Sequence, residues 1–368
     1  MKIKNKVYIT TTSSITCAGN NNEELFKNIC ENNTGIKKNT DYFHVNEPSI
    51  GKINSEKSFY ENLLIQCNNI LNNSNIDSFK DTLLIIGSSV GGMSNTENSF
   101  FTTNDYKSVD VTQHNIHSVS LFLNNHFNFY DDISFSTACT SSANAIGYAQ
   151  EVLSKGIYKN ALVLGIDSLC KTTVGGFISL GVLSDECCQP FDKNRKGMNV
   201  SEAIACLLLQ TEKTDSCIEV CGVGYSSDAY HMTQPHPDGS KNAMMNALKA
   251  SNLDHTQIDY INAHGTGTLA NDTSEANAIF SVFPNNPYVS STKSITGHTL
   301  GAAGALEAII SCMVIKKQLI PSNSFLNEVE NEDINLSLEN INQEVNYVLS
   351  NSFAFGGNNC SLVFGSAK

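Results

Sequence analysis

Residues 133–145 read Ile-Ser-Phe-Ser-Thr-Ala-Cys-Thr-Ser-Ser-Ala-Asn-Ala, and the fold turns on how this stretch is parsed. Ile133–Phe135 reads as a short strand, and the small-residue run from about Ser141 to Ser154 reads as a helix. Cys139 then sits at the helix entrance, where unpaired N–H groups and the helix dipole favour an anion. That placement lowers a thiol pKa and makes a better thiolate nucleophile. The plainer alternative is a buried structural cysteine beside a Ser/Thr cap.

The flanking segments continue the alternation. Ala161–Ile166 and Ala203–Leu209 are apolar enough for buried strands, as is Asp81–Ile86 before Gly87. Near the start, Lys6–Ile9 begins a strand and Glu23–Cys30 suits a helix. The later chain repeats the theme with strands at Ile218–Gly224, Asp259–Asn262 and Tyr288–Ser290, and helices at Lys241–Ser251, Thr273–Phe283 and Leu300–Ile315. Strands at 345–350 and 360–364 close it. Such β-α order predicts an α/β fold with largely parallel sheets covered by helices. The polar segment TEKTDS at 211–216 marks a seam, giving halves at 1–212 and 213–368.

Composition narrows the function. The chain has 368 residues, 40% hydrophobic and 16% charged, which excludes a disordered protein. Its net charge is -13, from 23 Lys+Arg against 36 Asp+Glu, and the one arginine is Arg195. A preference for nucleic acid or an anionic membrane is therefore not expected. The N-terminus runs from lysines into Thr and Ser without a signal-peptide core, and no apolar run reaches membrane-spanning length. The expectation is a cytoplasmic protein without membrane insertion, whose twelve scattered cysteines are mostly small buried apolar groups. The Asn/Ser-rich stretches at 19–76 and 322–345 keep apolar periodicity and are not linkers. His114-x-x-His117, His231-x4-His236 and the Cys187–Cys188 pair lack a CxxC partner, so no metal site is expected.

Two histidine segments join the cysteine. Asn262–Thr268 reads NAHGTGT just after a strand, placing His264 at a strand's C-terminal end beside glycines that permit close ligand approach. Asp272 and Glu275 follow at a helix start, where capping is the plainer role. Lys293–Gly304 reads KSITGHTLGAAG, with His298 immediately before a long small-residue helix. The glycines match neither a Walker loop nor the dinucleotide fingerprint.

Together these segments resemble the β-ketoacyl synthases of the thiolase superfamily, of the elongating type with a Cys-His-His active site. The motifs are TACTSSANAIGYA at 137–149, HGTGT with Asp272 and Glu275, and KSITGH with LGAAGALE. QPFDKNRKG at 189–197, SDAYHMTQPHPDG at 227–239 and NSFAFGGNN at 351–359 extend the similarity over nearly the whole chain. The resemblance implies a thiolase-like five-layer α/β/α/β/α fold with two related halves. It implies an acyltransferase that performs a decarboxylative Claisen condensation between an acyl group on Cys139 and malonyl-acyl carrier protein. By the same resemblance His264 and His298 donate hydrogen bonds to the malonyl carbonyl, and Lys293 supports the second histidine. Glu275 and Asp272 play supporting parts. Backbone N–H groups of Cys139 and Phe355 form the oxyanion hole, Thr266 and Thr268 contact phosphopantetheine, and Phe355 and Thr233 gate the pocket.

No bound cofactor is implied, because substrates arrive on the phosphopantetheine of acyl carrier protein. The resemblance further implies a homodimer, or a heterodimer with a sister ketosynthase, built around the strand near 161–166. An acidic carrier docking on an acidic enzyme needs a local basic cluster, with Lys37, Lys38, Lys57 and Arg195 as candidates. The family's GEGAG is here Ser201-Glu202-Ala203-Ile204-Ala205, a gate glycine is Ala354, and ITTTSSIT replaces the usual first turn. These departures bear on substrate range and gate motion, and they point to fatty-acid or type II polyketide/polyene biosynthesis of a specialised kind. The rival reading is a non-autonomous partner subunit resembling a chain-length factor, although such subunits often lose the nucleophile kept here. A thiolase fits less well, since thiolases use a His/Cys pair rather than two histidines.

Overall fold

The computed structural model describes residues 5–39 and 48–367. Its first half runs β1 (Tyr8–Thr16), α1 (Asn22–Cys30), a ribbon of β2 (Ile36–Lys38) and β3 (Ser49–Gly51), α2 (Phe59–Asn72) and β4 (Thr82–Gly87). It continues through α3 (Met93–Thr103), α4 (His117–Phe127), β5 (Asp131–Phe135), α5 (Ser141–Ser154), β6 (Asn160–Asp167), α6 (Lys171–Ser179) and β7 (Ala203–Gln210). The second half runs β8 (Ile218–Ser227), α7 (Pro237–Ser251), β9 (Tyr260–Asn262), α8 (Leu269–Val282), β10 (Tyr288–Ser290), α9 (Lys293–Thr296) and α10 (Ala303–Lys317). Three two-residue strands follow, β11 (Leu319–Ile320), β12 (Asn335–Leu336) and β13 (Ile341–Asn342). The last pair is β14 (Tyr347–Phe353) and β15 (Asn358–Ser366).

The halves repeat one topology. The first orders its strands β1-β7-β6-β4-β5, and the second β8-β15-β14-β9-β10. In both, the chain's fifth strand runs antiparallel to its neighbours, the first and the fourth, and the fourth, second and third run parallel. Among the described residues, only Tyr8↔Glu219 and Ile9↔Ile218 pair the two sheets, one short contact.

Alternation along the strands creates the layers. In β6, Ala161 and Val163 face the cluster that contains α5 and α10, whereas Leu162, Leu164 and Ile166 face α2 and α4. In the second half, Val348 and Leu362 face the shared middle layer, and Leu349 and Val363 face α7 and α8. Helices, sheet, helices, sheet, helices result. This is the expected five-layer arrangement. The middle helix α10 is buried from Ala303 through Ile315, which only a helix apolar on every side tolerates. Its contact with α5 is close: a Cβ at Gly304 would lie 2.6 Å from the Ala143 nitrogen.

One expectation is corrected. The strand near 161–166 cannot form a sheet-edge dimer contact, because β6 is paired on both sides, with β4 and β7. The edge of the first half is β5. Among the described residues, no helix is long and apolar enough to cross a membrane.

Candidate active site

The Cys139 segment forms the connection from β5 to α5. Ala138 takes a left-handed φ of 53°, a conformation costing a non-glycine residue about 1–2 kcal/mol, and turns the chain so that Cys139 precedes the helix. Thr140 Oγ1 and Ser141 Oγ bond back to the carbonyls of Thr137 and Ala138, at 2.7 and 2.6 Å, and hold this elbow. Cys139 is buried. Burial pushes its thiol up to about 12, against the pull of Lys293 and of the Cys139 and Phe355 N–H groups. The sequence expectation of a lowered thiol pKa therefore fails at rest. Desolvation outweighs the helix entrance, and the resting sulfur is a thiol.

His298 occupies the corresponding connection of the second half, between β10 and α10. Its backbone is strapped to the segment before β7: its N–H donates to Asn199 O at 2.7 Å, and Ser201 N–H donates to its carbonyl at 3.0 Å. Nδ1 accepts from Leu300 N–H at 3.1 Å, so the ring proton is on Nε2. That Nε2 lies 3.1 Å from Cys139 Sγ and donates towards it. Burial, assisted by Lys293, lowers the His298 pKa to about 3, so the imidazole is neutral.

His264 opens the loop after β9. Its ring centroid is 5.3 Å from that of His298, edge to face. Burial, with Lys293 and His298 adding to it, holds its pKa well below the ordinary value. The loop is fixed from behind by carboxylates. Glu275 accepts the N–H groups of His264 and Gly265, both at 2.8 Å, and burial raises its pKa to about 7. Asp272 accepts from Thr266, Gly267 and Phe191 N–H groups, and burial raises its pKa as well.

Cys139, His264, His298, Thr233, Thr266, Thr268 and Phe355 line one cavity, which Phe177, Met198 and Met232 complete. Lys293, Glu275 and Asp272 stand outside it. Lys293 Nζ donates to the His264 carbonyl at 2.5 Å and pairs with the Glu307 carboxylate. It thus braces the first histidine's backbone instead of the second histidine's ring. Cys139, His264 and His298 offer ligating atoms within 4.8 Å of one another. The Nε2 proton makes His298 a donor there, and a metal would have to displace it and break the bond from Leu300.

Arg195 belongs to the supporting structure. Its side chain is fully buried against Asp272 (3.5 Å) and Glu330 (2.7 Å), and it donates to the carbonyls of Thr268 and Leu269. It clamps the threonine loop and cannot meet a docking partner, whereas Lys37, Lys38 and Lys57 are exposed.

Two buried carboxylates escaped the sequence reading. Glu307 is the lone acid in the apolar helix α10, and such a charge demands a partner, which Lys293 supplies. Asp167 ends β6 and accepts from Ser88 Oγ and from the N–H groups of Ser89, Val90 and Gly301. Burial raises its pKa to about 6.

Comparison with known proteins gives a consistent picture. Residues 57–215 match the family model of the beta-ketoacyl synthase N-terminal domain, and 217–327 match its C-terminal domain. The chain is 38% identical over 256 residues to 3-oxoacyl-[acyl-carrier-protein] synthase 2 of Coxiella burnetii, covering 63% of this chain and 61% of that protein. It is 35% identical over 241 residues to nodulation protein E of Rhizobium meliloti, covering 62% and 60% respectively. The matches thus span about three fifths of the length of these curated relatives. Among solved structures, a ketosynthase (ApeO) in complex with its chain length factor (ApeC) from Xenorhabdus doucetiae superposes with a TM-score of 0.89. That match has 30% identity and covers 99% of this chain and 98% of the other.

Proposed function

The chain belongs to the β-ketoacyl synthase family, and from that premise we propose that it is an acyltransferase, a 3-oxoacyl-[acyl-carrier-protein] synthase. Its pathway is fatty-acid or type II polyketide/polyene biosynthesis. Cys139 accepts an acyl group from the phosphopantetheine of acyl carrier protein. The new sulfur–acyl bond forms as the pantetheine sulfur–acyl bond breaks, and the Cys139 proton ends on the released pantetheine thiol. The N–H groups of Cys139 and Phe355 hold the oxyanion of the tetrahedral intermediate.

In the second stage, malonyl-carrier protein enters and loses CO2. Neutral His264 and His298 donate to the thioester oxygen while the enolate forms, an electrostatic aid to charge as it develops. The enolate carbon attacks the Cys139 thioester. A carbon–carbon bond forms, the cysteine–acyl bond breaks, and the departing thiolate takes up one proton from solvent water. The product is a β-ketoacyl thioester two carbons longer. Thr266 and Thr268 line the path of the pantetheine arm, Phe355 and Thr233 gate the pocket, and Lys293, Glu275 and Asp272 fix the His264 loop.

The nucleophile half, 1–212, and the histidine half, 213–368, share this one site. The reaction calls for no bound cofactor, since the carrier's phosphopantetheine brings both substrates, and the setting is the cytoplasm. A second subunit, either another copy or a sister ketosynthase, completes a dimer. The edge strand β5 is available for that contact.

The observation carrying this reading is the Nε2–Sγ approach of 3.1 Å, with the proton placed on Nε2 by Leu300. Intact-protein mass spectrometry after incubation with a panel of acyl-carrier proteins tests it. The wild type gains the acyl mass, Cys139→Ala does not, and malonyl-carrier protein then releases a β-ketoacyl product. Absence of any adduct on the wild type overturns the autonomous-synthase reading and leaves a partner subunit without its own turnover.

A further inference from the structure

We propose that Asn358 is a positioning residue that sets the width of the oxyanion hole by tying the gate turn to the nucleophile elbow. The proposal rests on the acyl-transfer reading above. The hole's two donors come from different halves of the molecule: the Cys139 N–H from the elbow before α5, and the Phe355 N–H from the turn between β14 and β15. Two donors hold an oxyanion only if their separation is fixed within a few tenths of an ångström, because the hydrogen bonds weaken steeply with geometry.

The turn is closed on itself by Ala354 N–H to Asn358 O at 2.9 Å and Gly357 N–H to Ala354 O at 3.1 Å, which fix its shape but not its distance from the elbow. Gly356 and Gly357 both have positive φ, at 84° and 78°, and a side chain at Gly356 would meet open space. Its other tethers lead away from the elbow. Gly356 N–H donates to Met232 O at 2.9 Å, and Asp228 N–H donates to Gly357 O at 3.0 Å, both within the second half. Met232 is itself three-quarters exposed.

Asn358 is the strut across the gap. Its Oδ1 accepts from Thr140 Oγ1 at 2.6 Å and from Asn144 Nδ2 at 3.0 Å. Thr140 adjoins Cys139, and its single hydroxyl hydrogen is shared between Asn358 Oδ1 and Thr137 O, which lies 2.7 Å away, while Asn144 reaches Thr137 Oγ1 at 2.9 Å. One amide oxygen therefore grips both the first turn of α5 and, through it, the elbow with its strained Ala138. Among the described residues, apart from the Phe355 N–H aimed at the Cys139 sulfur, these are the only hydrogen bonds joining residues 353–358 to 137–144.

The strut makes a specific demand. Thioester acylation of Cys139 builds an oxyanion and needs both donors at fixed spacing. Alkylation by iodoacetamide uses the same sulfur and builds none. Asn358→Leu keeps the size and removes the acceptor, Thr140→Val removes one donor, and Asn358→Asp keeps the acceptor. In single-turnover acylation by an acyl-carrier protein, Asn358→Leu is expected to slow about 10–100-fold, the scale of a misplaced oxyanion donor. Thr140→Val is expected to slow by about 3–10-fold, and the double variant no more than Asn358→Leu, because both act through one link. Asn358→Asp stays within about threefold of wild type, and iodoacetamide rates move at least tenfold less than acylation in Asn358→Leu.

Wild-type acylation rates in a folded Asn358→Leu, or alkylation falling in step with acylation, would overturn the proposal. Thr140→Val carries the test alone if Asn358→Leu does not fold, and unchanged acylation there overturns it equally. Failure of the wild type to be acylated strikes the synthase reading itself, so the two failures are told apart in one experiment.

Discussion

The two halves share one strand order and one pattern of strand directions, yet they deliver different chemistry. In each, the connection from the third to the fourth strand enters a middle-layer helix, and the reactive side chain sits at that entrance. The first half presents Cys139 there and the second presents His298. A buried carboxylate also holds the loop after each half's second strand, Asp167 gripping Ser88 to Val90 and Glu275 gripping His264 and Gly265. The difference lies in the remaining loops. The connection from fourth to fifth strand runs from 168 to 202 in the first half, contributing Phe177 and Met198 to the cavity wall, but only from 354 to 357 in the second. The repeated topology thus explains why Cys139 and His298 meet, and the unequal loops explain why the halves contribute different walls to the cavity they share.

The comparison breaks first at the reacting atoms. Cys139→Ala is expected to abolish acylation, since Cys139 supplies the only thiol among the described residues lining the cavity. His298→Ala should still be acylated but lose condensation by about 10²–10³-fold, the usual scale for one preorganised donor. Single-turnover mass spectrometry for acylation, with product release followed separately, resolves the two. Equal loss of acylation in both variants would refute the division of labour between the halves.

Next in size is the ion pair behind His264. Lys293→Met leaves the Glu307 carboxylate buried and unpaired, and breaking such a pair costs about 3–5 kcal/mol. Adding Glu307→Leu should recover part of that loss in chemical denaturation, because both charges are then gone. No recovery would mean that the pair is not the dominant interaction of either residue. Smaller again is the packing between the halves. Gly304→Val pushes a side chain into Ala143 and should destabilise by about 1–3 kcal/mol. A neutral result would show that α5 and α10 can separate.

Much of this was legible in the sequence, for identifiable reasons. The helix at 141–154 and the strand at 288–290 were read with the boundaries observed, because small residues or β-branched residues stand next to clear breaks. The helices α2, α3, α4 and α6 were not read. Ser58 and Glu61 form a capping box that announces α2, but its asparagines obscure the apolar row of Leu63, Cys67 and Ile70. α6 contains Gly175 and Gly176 and lacks a local cap; Glu97 supplies one from α3, accepting the N–H groups of Lys171 and Thr172. Pairing at that distance leaves no local signal. The thiol pKa failed for the same kind of reason: the helix entrance can be read from residue order, while burial of the sulfur is a property of the whole packing.

The pH dependence of stability separates the halves most finely. His298 is neutral in the fold with a pKa of about 3, against an ordinary value of 6.5. Between those values the unfolded chain binds a proton that the folded chain does not, so stability falls as pH drops through the window. Relative to His298→Gln, which binds no proton in either state, the wild type should lose up to about 1.4 kcal/mol for each pH unit below 6.5. The buried carboxylates work in the opposite sense. Glu275, at about 7, and Asp167, at about 6, bind protons in the folded chain that their unfolded forms have released, so each adds stability as pH falls towards its unfolded value. The wild type alone therefore sums contributions of opposite sign, with buried His264 acting in the same sense as His298. The difference between wild type and His298→Gln, followed by urea denaturation from pH 7.5 to 4.5, isolates the histidine. A flat difference would mean that His298 protonates in the fold as easily as in water, and that burial does not keep the imidazole neutral below pH 6.5.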